Sequence, residues 1–129
     1  MNRLTATVKE IVNIDNLHIT TCQLGTQSLK MVSLELCKVL EVGKEVNLSV
    51  KSTNISLAKN FSGDISILNQ LKAKVVAVNN GKLLSSIQVD VEGFTLESLV
   101  TLEASLSMEL SVGDEVLVLL KGSEVSVCG

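Results

Sequence analysis

The 129-residue sequence predicts an all-β protein of two tandem small five-stranded barrels, each with a short helix before its fourth strand. Apolar and polar residues alternate along several short runs, the period-two signature of half-buried strands. The pattern also repeats. Val42, Gly43, Glu45, Val46, Lys51 and Ser56 return as Val112, Gly113, Glu115, Val116, Lys121 and Ser126, all at one constant offset, and Val32, Leu34 and Glu35 return as Val100, Leu102 and Glu103 at a slightly shorter one. Matching patches with a small length change between them are what a duplicated unit leaves when strands hold their pattern and loops absorb insertions. The alternation disappears over residues 58–66, A-K-N-F-S-G-D-I-S, which gathers linker residues. The expected units are therefore 1–58 and 69–129, joined by a linker at 59–68. Units of about 60 residues have marginal cores, so the lobes are expected to pack together or to oligomerise.

In the first unit, Leu4, Ala6 and Val8 alternate with Thr5, Thr7 and Lys9 to give a strand over residues 4–12. A turn is expected at 13–16, where Asn and Asp tolerate tight reversals. Strands follow at 17–24, ending at Gly25, and at 28–34. From 35 to 42 the period changes: Leu36, Val39 and Leu40 sit at helical spacing and Gly43 supplies a stop. Short strands at 46–50 and 55–57 complete the unit. Five strands with a helix before the fourth is the order of an OB-fold-like barrel. The second unit replays it, with Leu71, Ala73 and Val75 standing where Leu4, Ala6 and Val8 stand in the first. Asn80-Gly81 favours a tight hairpin turn. Strands at 83–91 and 95–102, a helix at 104–110, and strands at 116–120 and 125–127 follow.

Composition excludes several functions. The formal net charge is −3 with Arg3 as the only arginine, and Phe61 and Phe94 are the only aromatics. Neither the basic field nor the stacking platforms of a nucleic-acid surface are available. Cys22, Cys37 and Cys128 are odd in number and widely spaced, as reduced thiols are. The opening residues alternate rather than forming an apolar signal segment, and no run approaches the ~18 apolar residues of a membrane helix. A soluble, cytoplasmic protein is expected. His18, the sole histidine, is expected to be an exposed or satisfied strand residue rather than a base. Phosphate-loop motifs are absent, and carboxylates such as Glu97, Glu103, Asp114 and Glu115 are expected to be solvated. No catalytic residue is identified, and an enzyme is not expected.

Two bends carry more information: Lys51-Ser52-Thr53 and Lys121-Gly122-Ser123, each after a fourth strand. A cation, hydroxyls and turned backbone amides make a donor-only patch suited to a tetrahedral oxyanion, which offers only acceptors. The alternative is a polar turn with a solvated lysine.

Residues 69–75, N-Q-L-K-A-K-V, with Val100-Thr101-Leu102-Glu103, Val112-Gly113-Asp114-Glu115-Val116 and Lys121-Gly122-Ser123, resemble the Mop repeat of molbindins, also called the TOBE domain. The likeness runs through residues 69–127 and, in the first unit, best over 32–57. It implies paired OB-fold-like barrels in a homo-oligomer, with a trimer preferred and a dimer next, that hold molybdate or tungstate at contacts between repeats or subunits. It implies no side-chain-ligated metal. The oxyanion-binding residues carried over are Lys51, Ser52 and Thr53, Lys121, Gly122 and Ser123, and, from the segment before the second barrel, Ser66 and Asn69. Arg3, Ser33 and Thr101 are further candidates. The family's arginine position falls at Leu68 in this sequence and at Met1 in the first unit, so neither copy supplies a guanidinium. Losing one charge-assisted partner of a dianion costs about 1.5–3 kcal/mol; Arg3 lies near enough in sequence to substitute. The function implied is intracellular molybdate or tungstate storage, buffering or homeostasis. One alternative is a sensing domain pair of a transporter ATPase or transcriptional regulator; another is a structural barrel whose strand edges pair with a protein.

Overall fold

The computed structural model describes residues 2–34 and 40–127. Its strands are β1 (Asn2–Ile14), β2 (Leu17–Leu24), β3 (Gln27–Ser33), β4 (Glu45–Val50), β5 (Ser56–Ala58), β6 (Asn69–Asn80), β7 (Leu84–Val91), β8 (Phe94–Thr101), β9 (Glu115–Leu120) and β10 (Ser126–Val127). Among the described residues one helix, α1 (Leu102–Ser107), precedes β9, and 3-10 turns occupy Ser52–Asn54 and Gly122–Glu124. The helix predicted at 35–42 falls mostly on residues 35–39, which lie outside the described residues.

All pairing is antiparallel and forms two five-stranded sheets, ordered β10-β4-β1-β2-β3 and β5-β9-β6-β7-β8. The chain is thus mostly β and consists of two OB-fold-like sheets related by an internal repeat. Their fifth strands are exchanged, which corrects the expectation that each unit completes its own barrel. The strand expected at 55–57 pairs with β9 of the second sheet, with Leu57 opposite Val118, while β10 pairs with β4 of the first, with Ser126 opposite Ser49. Ser49 and Ser126 also share a hydroxyl hydrogen bond of 3.1 Å. Strand membership crosses the sequence division at residue 58.

The repeated Val-Gly-x-Glu-Val patch has a structural cause. β1 pairs with β4 through its first half and β2 through its second, with a register shift between Val8 and Glu10; β6 does the same between Val75 and Ala77. Such a bulge bends a strand around a barrel corner. The bulged backbone is satisfied by the patch: Gly43 N–H donates to Val8 O, and Gly113 N–H donates to Val75 O, each at 2.8 Å. Both glycines adopt positive φ, +91° and +97°, where an L side chain is strained. The β1–β2 turn likewise uses Asp15 and Asn16, both left-handed, residues that accept that conformation most readily outside glycine.

Buried Leu4, Val8, Leu24, Leu29 and Leu48 fill one side of the core and Leu71, Val75, Ile87, Val89 and Leu96 the other, in one continuous cluster. Cys22 takes the place that Val89 has in the second half and acts as a small apolar side chain; burial pushes its thiol pKa up. The same comparison exposes a flaw. Thr20 is fully buried and its Oγ1 has no hydrogen-bond partner, whereas its counterpart in the second half is the buried Ile87. An orphaned buried hydroxyl costs about 1–3 kcal/mol. Thr20→Val is therefore expected to stabilise the protein by about 1 kcal/mol, visible as a higher denaturation midpoint at unchanged slope; a lower midpoint would mean the hydroxyl has a partner in solution. His18 departs from expectation too. It is half-buried, and its Nδ1 is enclosed without a partner.

The linker is tied down at its start. Lys59 Nζ lies 3.0 Å from Asp114 Oδ2 and donates to the carbonyls of Met108 and Glu109 just beyond α1. The lysine beside it, then the Ser111 amide, hold the Asp114 carboxyl below its usual pKa, so this carboxylate is not the freely solvated group expected from sequence.

Candidate anion-binding site

The two halves meet where the start of β6 runs beside β3 and the start of β1 beside β8. An asparagine fastens each contact. Asn69 Oδ1 accepts the Lys30 amide at 2.7 Å and its Nδ2 donates to the Lys30 carbonyl at 2.8 Å. At the equivalent place in the first half, Asn2 Oδ1 accepts the Glu97 amide and its Nδ2 donates to the Glu97 carbonyl, both at 2.8 Å. Each asparagine reads the opposite strand as another backbone segment would, and both are buried. Asn69 is therefore first a clasp, with one amide hydrogen left over.

The 3-10 turn Gly122–Glu124 packs on β3, and Ser52–Asn54 packs on β8. Asn54 Nδ2 reaches Glu124 Oε2 at 3.0 Å; the two residues hold the same place in their repeats, so the turns touch close to the pseudo-twofold axis. Gly122 approaches β3 so closely that an added Cβ would stand 2.9 Å from the Lys30 carbonyl oxygen and 3.1 Å from a Val32 methyl. Glycine is needed there for space.

This packing encloses a pocket of about 230 Å³ lined by Ile19, Lys30, Val32, Ser66, Ile67, Leu68, Asn69, Lys121, Gly122 and Ser123. Five residues singled out from sequence, Ser66, Asn69, Lys121, Gly122 and Ser123, thus line one pocket within a single chain. Two lysines, two serines, Asn69 and the first residue of a 3-10 turn line it together with Ile19, Val32, Ile67 and Leu68; no carboxylate is in the lining, and the lining surface is mostly apolar. The volume lies below the ~300–1,000 Å³ of drug-sized ligand sites. A larger hollow of about 690 Å³ sets Lys72 and Lys74 against Asp90, Glu92 and Glu115. Its excess of carboxylates makes it the poorer host for an anion.

The other candidates lie elsewhere. Lys51, Ser52 and Thr53 form the pseudo-equivalent bend against β8. Arg3 is exposed on the outer side of β1, Ser33 is half-buried at the end of β3, and the Thr101 hydroxyl caps α1 by accepting the Ala104 amide. None of these three lines the pocket. Lys30, which sequence reasoning missed, is the second lysine of the lining, beside Leu68 at the arginine position. Glu97, expected to be solvated, accepts the Ser52 and Ser86 hydroxyls at 2.8 and 2.6 Å. Those hydroxyls, Ser86 foremost, hold its carboxyl below the usual range. Among the described residues no group of His, Cys, Asp or Glu could hold a metal ion, and no helix is long and apolar enough to cross a membrane.

Two strand-exchanging five-stranded sheets, with a small pocket where β3 of one half meets the Lys121–Ser123 bend and the start of β6, define a tandem β-barrel protein. The TOBE domain model matches residues 65–127. A probable molybdenum-pterin-binding protein of Haemophilus influenzae is 39% identical over 64 residues, 49% of this chain and 93% of that protein. The solved structure of the cytoplasmic molybdate-binding protein ModG, with molybdate bound, superposes with a TM-score of 0.90 at 26% identity, covering 98% of this chain and 94% of that one. The chain belongs to the TOBE-domain family of molbindin-type proteins.

Proposed function

We propose that this protein binds molybdate inside the cell, in storage, buffering or homeostasis, with the pocket between β3 and the Lys121–Ser123 bend as the binding site. The observation that carries this reading is the convergence of Lys30, Lys121 and the 122–123 backbone in a small pocket without a carboxylate. A dianion there meets donors from both halves and no competing acceptor among the lining side chains' charged groups. The names of the similar proteins support it: one is called molybdate-binding and the other molybdenum-pterin-binding. Tungstate, of like charge and shape, is expected to compete for the same donors.

The protein further assembles with its own copies, a trimer before a dimer. Leu34, Leu68, Leu83, Leu106 and Val112 are all more than half exposed, apolar surface that a partner copy would cover. Titration calorimetry with molybdate, run beside light scattering with and without the ion, tests both parts. Saturable heat with molybdate and none with sulfate is expected; identical heats for the two ions would refute the reading, and a monomer at all concentrations would refute the assembly.

A further inference from the structure

The internal repeat gives the pocket a counterpart, and the two differ in charge. Because Cys22 pairs with Leu29 as Val89 pairs with Leu96, the counterpart of Lys30 on β3 is Glu97 on β8. By the same registers Ile19 corresponds to Ser86, and the spacing that relates Lys51 to Lys121 makes Gly122 correspond to Ser52. Where the pocket is lined by a lysine, an isoleucine and a glycine, the counterpart place has a carboxylate and two hydroxyls. They are hydrogen-bonded to one another: Ser52 Oγ donates to Glu97 Oε1 at 2.8 Å, and Ser86 Oγ donates to Oε2 at 2.6 Å.

We infer that Glu97 is the resident anion of this counterpart place: its carboxylate takes the hydroxyl donors that Ser52 and Ser86 would offer a guest, so dianions bind at only one of the two pseudo-equivalent positions. This rests on the reading of the first pocket as the molybdate site. A carboxylate and an oxyanion present the same face to a donor, since both only accept. Each hydroxyl has one proton, so a serine that donates to Glu97 cannot donate to a guest at the same time. The carboxylate is also held in place, because Asn2 grips the Glu97 backbone on both its amide and its carbonyl. The serines keep it ionised at neutral pH, so a dianion entering beside it meets like charge. Duplication thus left two sites, and one sign reversal at a single strand position decides which of them takes an external ligand.

The test compares wild type with Glu97→Gln and Glu97→Lys. Molybdenum bound per chain is measured by equilibrium dialysis, and bound ions are located by anomalous scattering in crystals grown with molybdate. Wild type is expected to show an anomalous peak beside Lys121 and none beside Lys51. Glu97→Lys, which restores the Lys30-like cation, is expected to gain about one further ion per chain beside Ser52 and Thr53, and Glu97→Gln to gain the same site with roughly tenfold weaker affinity than Glu97→Lys. A peak beside Ser52 in wild type, or no gain in either folded variant, overturns the inference. Wild type without molybdenum beside Lys121 overturns the first-pocket reading instead, and the Glu97 inference is then decided by whether the two variants take up the ion.

Discussion

Lys30→Glu is expected to lower molybdate affinity by a factor of about 100 or more while the far-UV spectrum and thermal midpoint stay nearly unchanged. The Lys30 side chain is exposed, and the structural work at this position is done by its backbone, whose amide and carbonyl both bond to Asn69. Exposed substitutions of this kind alter stability by about 0.5 kcal/mol or less. The binding side is different. Removing a charge-assisted partner costs about 1.5–3 kcal/mol, and a carboxylate in its place adds repulsion toward a dianion. At about 1.4 kcal/mol per tenfold, the sum reaches two orders of magnitude. Lys30→Met, which removes the charge without reversing it, is expected to lose about tenfold, so the two variants separate lost attraction from added repulsion. Calorimetry on both checks this; wild-type affinity in Lys30→Glu would show that the ion binds elsewhere. The variant also gives the pocket the residue type that stands at the equivalent position, Glu97, in the other half.

The sequence made the strands legible because their alternation is local. The predicted 17–24 strand is β2 (Leu17–Leu24), and the 46–50 strand is β4 (Glu45–Val50) with one residue added. Turn chemistry was equally readable at Asp15-Asn16, where both residues are left-handed. The exchange of β5 and β10 was not readable, because strands of three and two residues carry no pattern that names their partner. The helix predicted at 104–110 sits earlier, at Leu102–Ser107, because Thr101 caps it; a hydroxyl ahead of Leu102 was the available signal. The candidate site was half visible. Lys121, Gly122 and Ser123 stand in a repeated bend, and Ser66 and Asn69 lie where the family pattern expects them. Lys30 and Glu97 looked like ordinary outward residues of alternating strands, and only the packing of one half's strand on the other half's turn gives them a role. The signal lay in the repeat itself: with Leu4 set against Leu71, Lys30 falls opposite Glu97 and the charge reverses.

Asn69→Ala is expected to cost about 2–4 kcal/mol of stability. Two short hydrogen bonds to the Lys30 backbone are lost, at about 0.5–1 kcal/mol each, and the Lys30 amide and carbonyl are left without their partner in a part-buried seam, which adds about 1–2 kcal/mol. For a chain of this size, at about 3 °C per kcal/mol, the thermal midpoint should fall by about 6–12 °C. Asn2→Ala is expected to cost a similar amount, because Asn2 makes the matching pair of bonds to Glu97 and is buried to nearly the same degree. Only Asn69→Ala should also weaken molybdate binding, since Asn69 lines the first pocket and Asn2 does not. Asn69→Asp separates shape from hydrogen bonding: it keeps an acceptor for the Lys30 amide but turns a carboxylate oxygen toward the Lys30 carbonyl, so it should be no more stable than the alanine variant. In every variant unfolding should remain a single calorimetric transition. β5 belongs to the second sheet and β10 to the first, so neither half can unfold without stripping a strand from the other. Two resolved transitions in Asn69→Ala would mean that the clasp and the strand exchange do not couple the halves.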